Sequence, residues 1–230
     1  MRADRLSTLT ALVLAAVVLV FLSQLRVRTN AAAPHGVPPD LRAACATDNH
    51  WLVTACYASP SEPPSEGRQS AALVAFRDTA DDKPQYRLAL QQEVGAVWGL
   101  AYSWRENALL AAAYHKVQLP FGPGGPGAIY RVEVDNQSVS QFVTVPNAGP
   151  DRHERELTSS PDNRGRDWAG KTSLGDVDIN AENTEVSVVN QNDRRIYRFT
   201  FPGGRLLGSF PNGAAGEAWS VDARPFGLKY

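Results

Sequence analysis

The sequence predicts an all-β chain assembled from repeated four-stranded units, on three observations. Apolar residues come in short, partly alternating runs closed off by turn residues, which is strand rather than helix patterning. The stretch Val97 to Asp135 holds one such set: Val-Trp-Gly-Leu-Ala-Tyr, a turn at Arg105-Glu106-Asn107, Ala-Leu-Leu-Ala-Ala-Ala-Tyr, a Pro/Gly loop, and Ala-Ile-Tyr-Arg-Val-Glu-Val-Asp. Weaker copies of the set recur in the same internal order before and after it.

The N-terminus reads as a targeting element. Leu6 to Leu22 is apolar apart from Ser7, Thr8 and Thr10, and Arg2 and Arg5 precede it, the n-region and h-region of an exported chain. The run suits a signal peptide or a single transmembrane anchor within residues 1–30. Ala31-Ala32-Ala33 supplies small residues for cleavage, while Arg26 and Arg28 in between and Pro34 just after argue for an anchor. Either way the remainder is extracytoplasmic, membrane-anchored or secreted. Residues 31–44, with three prolines and a glycine among Ala31 to Asp40, form a linker.

Cys45 and Cys56 flank a turn composition, Thr47-Asp48-Asn49-His50, and Trp51 to Tyr57 reads as a strand. Outside the cytoplasm such a pair is expected to form a disulfide, worth on the order of 2–3 kcal/mol for so short a loop. Zinc is disfavoured, because two sulfurs and His50 lack a fourth ligand.

The repeat then runs to the end. In the best-formed copy the strands are Trp98 to Tyr102, Ala108 to Tyr114, Ala128 to Val134 and Val139 to Val145. A later copy aligns at an offset of 77, placing Leu100 on Val177, Tyr102 on Ile179, Leu109 on Val186 and Ala111 on Val188. Arg195-Ile196-Tyr197-Arg198-Phe199 matches Ala128 to Val132 ten residues early, because the middle copy carries an extra loop, Val117 to Pro126. An earlier copy sets Leu52 to Tyr57 against Leu109 to Tyr114, and Leu73 to Phe76 against Ile129 to Val132, with Tyr86 to Leu90 as its last strand. Four short strands per unit of roughly 40 residues is the signature of a β-propeller blade. Phe226-Gly227-Leu228-Lys229-Tyr230 repeats Trp98 to Tyr102 and reads as the first strand of a fourth unit. The expectation over 45–230 is therefore an incomplete propeller of about three blades plus that strand, with one long insertion at 147–173. Its open blade edges are expected to favour self-association.

The motifs Val97 to Tyr102, Phe121 to Arg131, Leu174 to Ile179 and Arg224 to Leu228 resemble the successive blade motifs of exported bacterial β-propeller domains found in cell-surface repeat proteins. That resemblance implies the fold and the location, and it brings no chemistry with it.

Candidate sites are few. Asp176, Asp178, Asn190 and Asp193 form the best oxygen-rich group, suited to a hard cation such as calcium, with turn-capping as the alternative. The strands carrying them resemble gluconolactonase-like propellers, which implies metal-dependent lactone hydrolysis as an alternative function. Gly165 to Thr172 matches G-x-x-x-x-G-K-T, but the motif works only between a strand and a helix N-terminus. Here a polar loop precedes it and a strand-like run follows, so no cofactor is expected. His153, among Asp151, Glu154 and Glu156, suits a metal or acid/base role if the insertion is more than a solvated loop. No nucleophile or zinc-hydrolase motif is present, and catalytic residues are unassigned. Of 230 residues, 43% are apolar, and removing the N-terminal 33 (four Arg, one Asp) from totals of 23 basic and 24 acidic leaves a net −4. That balance gives no reason to expect nucleic acid. The reading is a non-catalytic extracytoplasmic module that binds a protein or glycan at the cell surface.

Overall fold

Strand patterning from Trp51 onward is realised as three antiparallel sheets. The computed structural model describes residues 41, 50–58, 64–78, 85–153, 163–213, 216–221 and 223–230, all within the compact unit Pro34–Tyr230. The targeting segment, most of the linker and Cys45 lie outside the described residues. Among the described residues no helix is long and apolar enough to cross a membrane. Also among them, Cys56 carries a free thiol, so the expected Cys45–Cys56 bridge is not formed at Cys56.

The first sheet has the order β1 (Trp51–Ala55), β2 (Ala71–Arg77), β3 (Tyr86–Leu90). The second is β4 (Val97–Ser103), β5 (Ala108–Ala113), β6 (Ala128–Glu133), β7 (Val139–Thr144). The third is β8 (Leu174–Ile179), β9 (Glu185–Asn190), β10 (Arg195–Thr200), β11 (Leu206–Pro211). Each is a meander, with sequential strands paired antiparallel. Short helices at Pro64–Gln69, Gln91–Val94 and Asn163–Trp168 lie between strands.

The sheets share one register. Leu52 faces Phe76 in the first, Leu109 faces Val132 in the second, and Val186 faces Phe199 in the third. The same holds one strand inward, where Leu100 faces Ala111 and Val177 faces Val188. These are the pairs that the sequence offsets bring together. The first sheet shows three strands among the described residues, lacking a counterpart of β4 and β8.

β5 has no polar alternation because both of its faces are covered. Leu109, Ala111 and Ala113 pack in one core with Leu73, Ala75 and Leu88 of the first sheet. Leu110 and Ala112 pack in another with Leu174, Val186, Val188 and Phe199 of the third. Each fully buried leucine here stabilises the fold by about 1.5–3 kcal/mol relative to an exposed one. The last strands, β7 and β11, contain no fully buried residue, with intermediate and exposed positions throughout.

β4 and β8 lie against each other through bare backbone. A Cβ on Gly99 would fall 2.6 Å from the Gly175 carbonyl oxygen and 2.7 Å from the Asp176 Cα. A Cβ on Gly175 would fall 2.5 Å from the Phe226 carbonyl oxygen. The segment Phe226 to Tyr230, expected as a strand, runs beside β8 without forming a ladder. Asp176 N–H donates to the Phe226 carbonyl at 2.8 Å. In the other direction Leu228 N–H donates to the Asp176 carboxylate at 3.2 Å and Tyr230 N–H to the Asp178 carboxylate at 3.0 Å. Side-chain acceptors thus take the place of the carbonyls that a ladder requires.

Gly99→Ala is expected to lower unfolding stability by about 1–3 kcal/mol, since the obstructing atoms are backbone. Gly227→Ala, whose Cβ meets nothing within 4 Å, should stay within about 0.5 kcal/mol of the parent chain. Urea denaturation of the two variants checks this, and equal midpoints would refute the close-approach account.

Candidate functional site

Side chains of chemical interest gather where β4 and β8 begin and β5 ends. Trp98, Tyr114 and Phe226 form a triangle of rings, with centroids 5.9 Å (Trp98–Tyr114), 5.2 Å (Trp98–Phe226) and 5.9 Å (Tyr114–Phe226) apart. Strand alternation turns Trp98 away from the buried Val97 and Gly99, leaving it 48% exposed, and Phe226 is 37% exposed. Tyr57, the counterpart of Tyr114 in the first copy, donates its hydroxyl to the Val97 carbonyl at 2.9 Å. Burial first, then the nearby Tyr114 and Cys56, push the Tyr57 hydroxyl up to about 12, so it remains a neutral donor. Gln191, the counterpart of Tyr114 in the third copy, is fully buried, and its side-chain amide has no hydrogen-bond partner among the described residues. Its main-chain carbonyl accepts from Arg224 at 2.7 Å, two residues before Phe226. A buried, unpartnered amide costs about 1–3 kcal/mol and is a natural polar anchor for water or a ligand.

Beside this triangle, the start of the insertion folds back onto the end of β5. Ser173 N–H and Thr172 Oγ1 both donate to the Ala148 carbonyl, and Asn190 and Asn192 donate to the Pro146 and Asn147 carbonyls. This brings His153 over His115, with ring centroids 4.2 Å apart and 30° between planes, while Phe121 meets His153 edge-on at 5.1 Å. His115 is fully buried, and its Nε2 lies 2.9 Å from the Gly165 carbonyl. His153 Nε2 lies 2.9 Å from the Lys116 carbonyl, and its Nδ1 lies 2.7 Å from Asp151 Oδ1. The His153 side chain is 5% exposed and that of Asp151 54%. One ligand atom from each of His115, Asp151 and His153 lies within 4.8 Å of the others, the one such group of His, Cys, Asp or Glu among the described residues.

The oxygen-rich group read from the sequence is spread over two places. Asp176 and Asp178 share a face of β8 and hold the C-terminal segment. Asp178 also meets the Lys229 ammonium at 2.9 Å. Burial opposes charge on Asp178, but the Tyr230 N–H, Lys229 and the Ile179 N–H outweigh it and hold the carboxyl below the usual range. Asn190 and Asp193 sit at the β9–β10 turn. Asn190 Oδ1 accepts from the N–H groups of Asn192 and Asp193, and Asp193 accepts from Arg195 N–H and the Tyr197 hydroxyl. The G-x-x-x-x-G-K-T match runs helix, turn, strand: Gly165 lies in the helix Asn163–Trp168, and the buried Thr172 leads into β8. That is the reverse of the order a phosphate cradle needs.

His153 was legible as a candidate through its acidic neighbours. His115 was not, since it lies 38 positions earlier and directly follows an apolar strand. No family model matches the chain, and no curated protein matches it. A crystal structure of a protein from Lactobacillus plantarum is similar in part, with a TM-score of 0.39 and 13% identity, over 71% of this chain. The chain spans 37% of that protein's length.

A carboxyl held below its ordinary value contributes stability above the unfolded pKa of about 3.9 and loses it as pH falls through the lower folded value. Acidification below about pH 3.9, or Asp178→Ala at neutral pH, should therefore free the C-terminal segment ahead of the sheets. Amide exchange at Tyr230 reports this directly. Exchange at Tyr230 unchanged by Asp178→Ala, relative to the β9 amides, would show that the carboxylate does not hold the segment.

Proposed function

We propose that this chain is an exported β-propeller-type module that binds a glycan or protein at the cell surface and does no chemistry on it. The observation that carries the proposal is the exposed ring triangle at the meeting point of three sister segments, β4, β8 and Phe226 to Tyr230. Sheets of one register stacked through their first strands are how propeller blades adjoin, and the first strands border the central channel. Partly exposed aromatic rings beside a polar anchor are the usual composition of a recognition surface. The flanking arginines and apolar run of Leu6 to Leu22 support export, with membrane attachment if that segment is retained. β1 and β3 are edge strands of a three-stranded sheet among the described residues, which supports self-association as a further mode of contact.

Metal-dependent lactone hydrolysis through Asp176, Asp178, Asn190 and Asp193 has less support, because main-chain N–H groups already engage their oxygens. Calcium binding at those four residues is likewise the weaker reading.

Tryptophan fluorescence titrated with cell-wall glycan fragments and with solubilised surface proteins tests the proposal. A bound partner should lose about 2 kcal/mol or more, roughly 30-fold in Kd, in Trp98→Ala. Binding that is indifferent to both Trp98→Ala and Phe226→Ala, or turnover of a lactone, would overturn it.

A further inference from the structure

Independently of the ring triangle, the contacts of His115 and His153 define a second site. The Nε2 atom of each ring sits 2.9 Å from a main-chain carbonyl, Gly165 for one and Lys116 for the other. A carbonyl only accepts, so both rings carry their hydrogen on Nε2. In the neutral form each ring then presents its lone pair at Nδ1. For His153 that lone pair faces the Asp151 carboxylate at 2.7 Å, in a place where the imidazole is 5% exposed. Two lone pairs at that range repel, while the same Oδ1 accepts the His153 main-chain N–H at 2.9 Å. A positive charge shared by that nitrogen and oxygen removes the repulsion.

We propose that this charge is a divalent transition-metal ion of the zinc class, bound by His115, His153 and Asp151. Two imidazole nitrogens and a carboxylate oxygen suit such an ion, with its fourth position open to solvent on the exposed Asp151 side. The two carbonyls act as the outer partners that orient metal-bound imidazoles by accepting the other ring N–H. The three ligand atoms lie within 4.8 Å of one another; on a tetrahedral ion they would stand about 3.3 Å apart, so His153 Nδ1 and Asp151 Oδ1 open from 2.7 Å to admit it. An ion lies near the plane of each ring that binds it, so loading tilts the stacked rings beyond their present 30°. Because Asp151 and His153 come from the insertion and His115 follows β5, the ion cross-links the insertion to the second sheet. Hard cations with all-oxygen preferences, calcium among them, fit this donor set poorly.

The test uses the full chain stripped with chelator and titrated with zinc by calorimetry, with cobalt as a spectroscopic stand-in. One ion per chain is expected, together with a visible d–d band from cobalt and a rise in melting temperature on zinc addition. Asp151→Asn, at a half-exposed position and with its fold checked by circular dichroism, should weaken zinc by about tenfold or more, and His153→Gln likewise. Zinc binding equal in the parent chain, Asp151→Asn and His153→Gln, or no saturable binding in the parent, overturns the proposal.

Discussion

Contact between first strands without intervening side chains is the constraint on which the rest of this architecture hangs. β4 lies on β8, and β8 on the C-terminal segment, at a separation that excludes even a methyl group at Gly99 and Gly175. That separation sets how far apart the sheets stand. It therefore sets how much room exists for Leu109 and its neighbours on one side of the second sheet and Leu110 on the other. It also brings Trp98 within ring contact of Phe226, two residues 128 positions apart in sequence.

The second sheet is the central member energetically. Its middle strands belong to two cores at once, alternate side chains entering opposite sides. Such a sheet cannot be removed without exposing apolar surface on both neighbours, so the described unit should unfold cooperatively rather than sheet by sheet. Sheet-to-sheet ties such as Ser103 Oγ donating to Asn183 Oδ1 at 2.7 Å, both buried, add specificity where first strands turn into second ones.

Much of the fold was legible because its information is local. Alternation and turn residues marked the strands from β1 to β10 to within a residue or two, while β11 went unmarked, and the repeat offsets anticipated which residues face each other. The departures have non-local causes. Phe226 to Tyr230 has the strand pattern of its sisters, yet Asp176 and Asp178 intercept its N–H groups, and nothing in the pentapeptide announces that. The same two carboxylates looked like metal ligands because they are close in sequence to Asn190 and Asp193. Spacing alone could not say that a peptide from 52 residues downstream would occupy them. The pairing of His115 with His153 depends on how the insertion folds back through Ala148, Thr172 and Ser173, a matter of tertiary hydrogen bonding with no periodic trace.

The manner in which the C-terminal segment is held has a further consequence. A paired strand is clasped by main-chain groups on both sides, whereas this segment is clasped by one main-chain bond, from Asp176 N–H to the Phe226 carbonyl, and by two carboxylates. The border of the third sheet is thus fastened largely by side-chain charge: two carboxylates of β8 take the N–H groups of Leu228 and Tyr230, and Asp178 takes the Lys229 ammonium as well.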